Sequence, residues 1–511
     1  MAPQPVKWRR FASAGWTIPV RAGRKSGAHC ASLRRARACE NGGVGEVTLL
    51  RRNRDFVLLQ AGQLLSTFGS SMSGIAYPLL ALALTGSAAN TGYVGAIQFA
   101  PLVLLSPAAG VAADRIDRRG LMICSDAAGA VAVGALAVVV LTHHATLWLI
   151  LLVAFTDSSA SVVFRTAVSG AFKAVIPQAQ LADAASVTAG RVSVVRLAAP
   201  PAGGALFGLS RGLPFVADAV SYVFSTLSLV LTRTRFQEEH RSGSVRFAEG
   251  LAFFWRFRFL RMTIGMIAAS NLVAFGMPIA VIVLAHRHGF SSTAIGGFVA
   301  LQGVTMLAGS AFSPLLRRVL PMRAILLSEF WMALVYASFL AYPSVYVLAG
   351  AASLHAFWFP NTDSAITAFS YTLIPDHLLG RAMAASNMLR ALTMPIGPLA
   401  AGLLLNDASP RLAVIALATP VVVAAIAGTL SDSTRDLPSL DVSASALELT
   451  PPDREGRRPQ LDMSDGVVLQ NAAEDPGRVA GGAFDGYAEP CSPCVVDQAL
   501  EGEGAGEVDS S

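Results

Sequence analysis

Twelve apolar runs of about 19–25 residues recur along this 511-residue chain, and a run of that length covers roughly 30 Å of hydrocarbon as an α-helix. They fall near 56–80, 92–112, 121–141, 147–169, 184–208 and 213–231, then 262–285, 293–316, 324–342, 345–369, 382–405 and 411–430. A lipid-embedded chain must satisfy its backbone within each span, so the expected class is an all-α integral membrane protein. Composition agrees: 53% of residues are hydrophobic and only 14% are charged, which would leave a water-soluble domain with large adhesive surfaces.

The runs divide six and six. Five regions are expected: a basic, disordered N-terminal extension (1–50), a six-helix bundle (51–232), an inter-bundle loop (233–261), a second six-helix bundle (262–430) and an acidic, disordered tail (431–511). The tail holds 17 acidic and 5 basic side chains, and its Pro, Gly and Ser content cannot repay ordering entropy by apolar burial. The N-terminal extension has no apolar stretch fit for a signal peptide, and its Arg9-Arg10 only superficially matches a twin-arginine signal.

Basic residues set the expected orientation. One set of loops holds Arg115, Arg118, Arg119, Lys173, Arg233, Arg235, Arg241, Arg246, Arg256, Arg258, Arg261, Arg317, Arg318, Arg323 and Arg381, whereas the alternate loops hold only Arg211, Arg287 and Arg411. Both termini are therefore expected in the cytoplasm of a cell whose plasma membrane the chain crosses. The halves also repeat: "IPQAQLADAASVTAGRVSVVRLAAPPAGGAL" (176–206) aligns without gaps to "IPDHLLGRAMAASNMLRALTMPIGPLAAGLL" (374–404), sharing Pro200/Pro398 and Gly204/Gly402. Two pseudo-symmetric six-helix bundles suit alternating access by rocking. Pro200, Pro395 and Pro398 predict breaks in the fifth and eleventh spans.

The densest polar knot is "GVAADRIDRR" (110–119), between the second and third spans, with a weaker echo in "GSAFSPLLRR" (309–318) that has Ser313 where Asp114 stood. Here the chain resembles the major facilitator superfamily, whose loop signature reads Gly-x-x-x-Asp-Arg-x-Gly-Arg-Arg/Lys. Gly110, Asp114, Arg115, Arg118 and Arg119 match it, and Asp117 stands where the family has glycine, a place where aspartate tolerates turn backbone. The resemblance spans about 50–430 and implies the twelve-helix fold of that superfamily. It leans toward bacterial exporters that include the enterobactin exporter and macrolide-efflux relatives, through "GQLLSTFGSSM" (62–72), "FVADAVSYVFSTLSLVL" (215–231) and "EGLAFFWRFRFLR" (249–261). It also implies that Asp114 latches the halves together by facing a helix N-terminus, with its partial positive charge and free N–H groups. The two arginines have a plainer alternative as topology signals and lipid-phosphate anchors.

Ionisable groups inside spans are functional candidates by default. Asp157, Ser161 and Arg165 share one stripe of the fourth span, and Arg196 lies at similar depth in the fifth. Asp157 is the candidate proton carrier with Arg196 as its modulator, and Arg165 with Asp363 is the next charged pair. Arg191 and Arg390 read as ion-paired or snorkelling, Asp126, Asp218 and Glu329 as structural, and His355 as hydrogen-bonded packing. Gln60, Gln63, Thr67, Ser161, Asn271, Trp358 and Asn387 are candidate cavity-lining residues.

Walker A and HExxH are absent, and neither a GxSxG nor a dinucleotide fingerprint stands in a strand-to-helix setting, so neither direct ATP use nor an enzyme is expected. No cofactor or metal is expected either: Cys491 and Cys494 supply only half of a zinc ligand set. The expected function is proton-driven export of an amphiphilic small molecule by a monomer, with the bilayer, protons and substrate as partners and no nucleic acid. A non-transporting membrane sensor or scaffold and a nutrient importer are the alternatives.

Overall fold

The computed structural model describes residues 53–176, 180–232, 258–374 and 376–431, together with Thr234, Phe236 and Trp255. The expected terminal extensions, most of the inter-bundle loop and Cys491/Cys494 lie outside the described residues.

Twelve spans follow one another: α1 (Arg54–Thr85), α2 (Ala88–Ile97 and Ala100–Arg115), α3 (Arg118–Leu141), α4 (Leu147–Val175), α5 (Leu181–Leu209), α6 (Leu213–Leu231), α7 (Arg258–Arg287), α8 (Ser292–Val319), α9 (Met322–Met332, continuing through the 3-10 turn Ala333–Ala337 to Ser338–Ala341), α10 (Val345–Leu373), α11 (Asp376–Thr393 and Ile396–Asp407) and α12 (Pro410–Leu430). Eleven are long and apolar enough to cross a membrane. α10 is as long but more polar, carrying Ser353, His355, Asn361, Thr362, Asp363 and Ser364. No strand occurs among the described residues.

Short polar caps start the spans. Ser87, Ser291 and Ser409 each accept the backbone N–H three residues on, opening α2, α8 and α12. Gly86 ends α1 in the left-handed region at φ 66°, where its N–H reaches the Leu82 carbonyl and a side chain would be strained.

Prolines act differently from the sequence expectation. α5 runs unbroken through Pro200 and Pro201, whereas α11 breaks at Met394–Pro395 as expected. α2 breaks at Gln98–Phe99, a site the sequence reading did not single out, and Pro101 opens its second segment. A proline starts a new segment readily because its missing N–H falls among those that a first turn leaves unpaired anyway.

α1 packs on α6, and α3 packs on both α4 and α6; in the second bundle α7 packs on α11 and α12, and α8 on α10. Small residues permit this closeness. Across the bundles α2 meets α11 and α5 meets α8, both through glycine. A Cβ on Gly402 would lie 2.6 Å from the Gly92 Cα, and one on Gly204 would lie 2.4 Å from the Ser292 carbonyl and 3.1 Å from the Gly296 Cα. Gly204 and Gly402 are equivalent positions of the repeat, so one contact occurs twice. Both crossings lie in the half of the molecule remote from the basic loops.

Candidate functional site

Toward the basic loops the bundles part around a cavity of about 900 Å³. Its wall is mainly apolar and aromatic, with Leu102 of α2 facing Ile267, Phe275, Phe330, Phe359 and Met388 of the second bundle. Polar groups are few: Ser106 and Arg165 from the first bundle, and Ser270, Asn271, Glu329, Thr362, Asp363, Asn387 and Arg390 from the second.

These groups are braced against one another. Arg390 of α11 donates to Asp363 of α10 in an ion pair. Asn271 of α7 donates to the Arg390 carbonyl (3.0 Å) and to Thr393 Oγ1 (2.7 Å), fixing the turn of α11 that carries Arg390. Ser270 donates to Glu329 Oε1, and His355 Nε2 lies 4.0 Å from the same oxygen. His355 is buried and its Nε2 has no hydrogen-bond partner, contrary to its expected role as hydrogen-bonded packing. The Tyr336 hydroxyl is likewise buried without one.

Of the expected cavity-lining residues, Asn271 and Asn387 stand in this wall. Gln60, Gln63, Thr67, Ser161 and Trp358 do not. Gln60 faces α5, donating to Thr188 Oγ1 at 2.8 Å; Gln63 is buried; Thr67 is exposed; Ser161 lies 3.5 Å from the Tyr222 hydroxyl; and Trp358 stacks edge-on against Phe357. Of the polar groups of α1, Gln60 and Ser70 turn into their own bundle and find partners in Thr188 and Asp218, whereas Thr67 is exposed and Gln63 Nε2 is buried without a partner.

The charged pairs also differ from expectation. Asp157 does not meet Arg196. Its Oδ1 accepts from the Tyr222 hydroxyl (2.6 Å) and its Oδ2 from that of Tyr77 (3.1 Å). Arg196 is exposed and reaches Met306 Sδ across the α5–α8 crossing at 3.1 Å. The reason is helical phase: Asp157 points from α4 toward α1 and α6, whereas Arg196 points from α5 toward α8. Asp363 and Arg165 share the cavity wall, but the partner of Asp363 is Arg390. Arg191 has two buried guanidinium nitrogens without partners.

Sequence reasoning passed over two groups. Glu329, read as structural, is part of the cavity wall. Asp218, also read as structural, is fully buried and accepts from Ser70 Oγ at 3.3 Å, beside the Asp157 cluster. A signal for the second was present, because Asp218, Ser221, Tyr222, Ser225 and Ser228 form one polar face of α6 at helical spacing. Nothing in the local sequence marks Glu329 as cavity-facing, since that depends on how α9 is rotated against α7 and α10.

The loop motif divides its work. Asp117 has φ −53° rather than a left-handed turn, and it caps α3 by accepting the Gly120 N–H at 2.7 Å; this is how aspartate replaces the expected glycine. Arg119 donates to the Val230 carbonyl (2.7 Å) in the last turn of α6, where positive charge is favoured, and Arg118 reaches the Ala113 and Phe236 carbonyls at 3.4 Å. Arg115 and Asp114 are exposed, and no hydrogen bond or ion pair engages Asp114 among the described residues. Nothing lies within 4 Å of a Cβ on Gly110.

With the cavity parted at the basic end and the glycine crossings shut at the other, this state leaves Asp114 free. Asp114→Asn is therefore expected to leave this conformer intact and weaken the opposite one. Transport should drop several-fold with normal membrane levels, and the share of molecules open at the basic end should rise. Unchanged conformer ratios, read by distance measurements between labelled bundle ends, would reduce the loop to a topology signal.

Two six-helix bundles about a central cavity, closed at one end and parted at the other, define a two-domain membrane transporter. The chain belongs to the Major Facilitator Superfamily, whose model matches residues 60–398. It is 23% identical over 363 residues to macrolide efflux protein A of Streptococcus pyogenes, covering 67% of this chain and 87% of that protein. It is 26% identical over 411 residues to the multidrug efflux pump Tap of Mycobacterium tuberculosis (strain ATCC 25618 / H37Rv), covering 76% and 95%. Among solved structures, a bacterial homologue of the iron transporter ferroportin in its inward-facing state has a TM-score of 0.62 at 18% identity, covering 74% of this chain and 98% of that one. The nucleoside transporter NupG has a TM-score of 0.61 at 14% identity, covering 75% and 100%. These structural likenesses concern the fold.

Proposed function

We propose that this protein is a secondary active exporter that moves an amphiphilic small molecule out of the cell, driven by proton entry. The observation that carries the reading is the cavity wall. A space of about 900 Å³, mostly apolar and aromatic with a few braced polar groups, suits a molecule with a broad greasy face and some hydrogen-bonding groups. The export direction is supported by the similarity to the two efflux proteins. The roles given to the loop motif, Asp157 and the cavity residues belong to the same proposal.

The basic end is assigned to the cytoplasm, on the excess of arginine in its loops. In a background with the five native cysteines replaced, a cysteine at Asn90 is expected to react with an impermeant reagent from outside, and one at Ser242 is not. The reverse pattern would invert the map.

Accumulation of a panel of amphiphilic compounds, in cells with and without the protein, tests the whole reading. Lower accumulation that disappears with a protonophore is the expected result. Equal accumulation across the panel, with the protein present in the membrane, would sink export. Efflux that survives the protonophore would remove the proton from the mechanism.

A further inference from the structure

In the first bundle an unbroken line of oxygens joins two buried carboxylates. Asp218 Oδ1 lies 3.3 Å from Ser70 Oγ, Ser70 Oγ lies 3.1 Å from the Tyr222 hydroxyl, and that hydroxyl lies 2.6 Å from Asp157 Oδ1. The four residues come from α6, α1, α6 and α4. Asp157 is 5% exposed and Asp218 is fully buried. Neither forms an ion pair among the described residues, and Asp218 Oδ2 is buried with no hydrogen-bond partner. The other titratable groups facing the line are Tyr77 of α1, which donates to Asp157 Oδ2, and Asp126 of α3, which lies against Ser225 one turn along α6 from Tyr222. Among the described residues no cation balances the acids.

Counting hydrogens decides how the line is filled. It has three oxygen–oxygen contacts, but a serine and a tyrosine bring one hydroxyl hydrogen each. With both carboxylates ionised, one contact would have two oxygens facing with no hydrogen between them. Two uncompensated charges would also be buried in the bundle, at a cost of several kcal/mol per ion. One added proton repairs the first fault and halves the second, because every contact then holds a hydrogen and one acid is neutral.

We propose that Asp157, Tyr222, Ser70 and Asp218 form a proton relay that holds one proton between two carboxylates. The same oxygen positions accept two hydrogen arrangements. In the first, protonated Asp218 donates to Ser70, Ser70 to Tyr222, and Tyr222 to the Asp157 carboxylate. In the second, protonated Asp157 donates to Tyr222, Tyr222 to Ser70, and Ser70 to the Asp218 carboxylate. Conversion breaks the O–H bonds of Asp218, Ser70 and Tyr222 and forms new ones on Ser70, Tyr222 and Asp157. Both hydroxyls are restored, and one proton has moved from Asp218 to Asp157. Along α4 the stripe from Asp157 runs through Ser161, which lies 3.5 Å from the Tyr222 hydroxyl, toward Arg165, which lines the cavity. Gly129 lies flat against the Tyr222 ring, where a Cβ would come within 2.9 Å, so the hydroxyl is held on the line by packing.

The relay rests on the proton-coupled reading above, and the test separates the two. Tyr222→Phe keeps the ring and removes the hydroxyl; Ser70→Ala breaks the line, and Ser70→Thr keeps its hydroxyl. In proteoliposomes the first two are expected to cut pH-gradient-driven efflux by about tenfold or more, with substrate exchange in the absence of a gradient retained and Ser70→Thr close to wild type. Infrared spectroscopy of the purified protein reads the neutral-carboxyl band directly. Asp157→Asn and Asp218→Asn should each alter the same single-proton band, because the proton belongs to the pair. Gradient-driven efflux unaffected by Tyr222→Phe and Ser70→Ala, while wild type responds to the gradient, would overturn the relay and leave the coupling reading in place. If wild type itself ignores the gradient, the coupling reading falls. The relay then stands on the shared band, and two independent bands that vanish separately would overturn it.

Discussion

Replacing Gly402 with leucine is expected to stop transport in a protein that still reaches the membrane. The α2–α11 crossing has no room for a side chain, since even a Cβ would lie 2.6 Å from the Gly92 Cα and 2.7 Å from the Ala88 carbonyl. Those neighbours are backbone and cannot rotate aside. Overpacking of this kind costs about 1–3 kcal/mol. The cost falls on the state in which the ends remote from the basic loops are shut, so the conformer ratio should move about 5- to 150-fold toward the opposite state. Gly204→Leu should do the same at the α5–α8 crossing. Distances between labels on α2 and α11 would show the remote ends separating, and Gly402→Ala should give a smaller shift in the same direction. Wild-type transport by Gly402→Leu would mean that the crossing is not part of the cycle.

Removing Arg390 carries the second large effect. Its partner Asp363 is 44% exposed and faces the cavity, whereas Arg390 is 17% exposed. Arg390→Ala leaves a carboxylate without its cation in a mostly apolar wall, and it frees the turn of α11 that Asn271 braces. A fully buried pair would lose more, but solvent reaches this one, so the expected fall in transport rate is about tenfold. Asp363→Asn added to Arg390→Ala should recover much of the activity, because no uncompensated charge remains. Failure of the double variant to improve on Arg390→Ala would assign the loss to the guanidinium itself, as a direct contact to substrate. Membrane abundance measured in parallel separates either effect from misfolding.

How much could be read in advance varies with the range of the interaction. All twelve spans lie where the apolar runs placed them, and serine caps at Ser87, Ser291 and Ser409 open helices as local backbone chemistry requires. The motif reads as a loop in the sequence, but only Ile116 and Asp117 of it lie outside helices, since α2 runs on to Arg115 and α3 starts at Arg118. The capping role of Asp117 was not legible, because a turn and a cap suit the same residue. Proline gave mixed guidance: Pro395 interrupts α11, while Pro200 and Pro201 are carried within α5. The polar positions of α10 were visible as residues, but only the packing of α7, α9 and α11 around them makes a wall with Glu329, Asp363 and Arg390.

The sequence by itself determined that this chain is a membrane protein of two repeated six-helix bundles, because length and apolarity of a span are properties of each segment alone. It also determined which loops are basic and where the repeat places glycine. Which buried acid meets which partner was decided only by the tertiary structure. A helix is near-cylindrical, and a rotation of a fraction of a turn moves a side chain from a neighbour to the cavity. That rotation is set by close contacts such as Gly69 against Ser221 and Gly204 against Gly296, which involve residues far apart in the chain. Asp157 therefore faces Tyr77 and Tyr222 rather than Arg196, which similar depth along the helices suggests as its modulator.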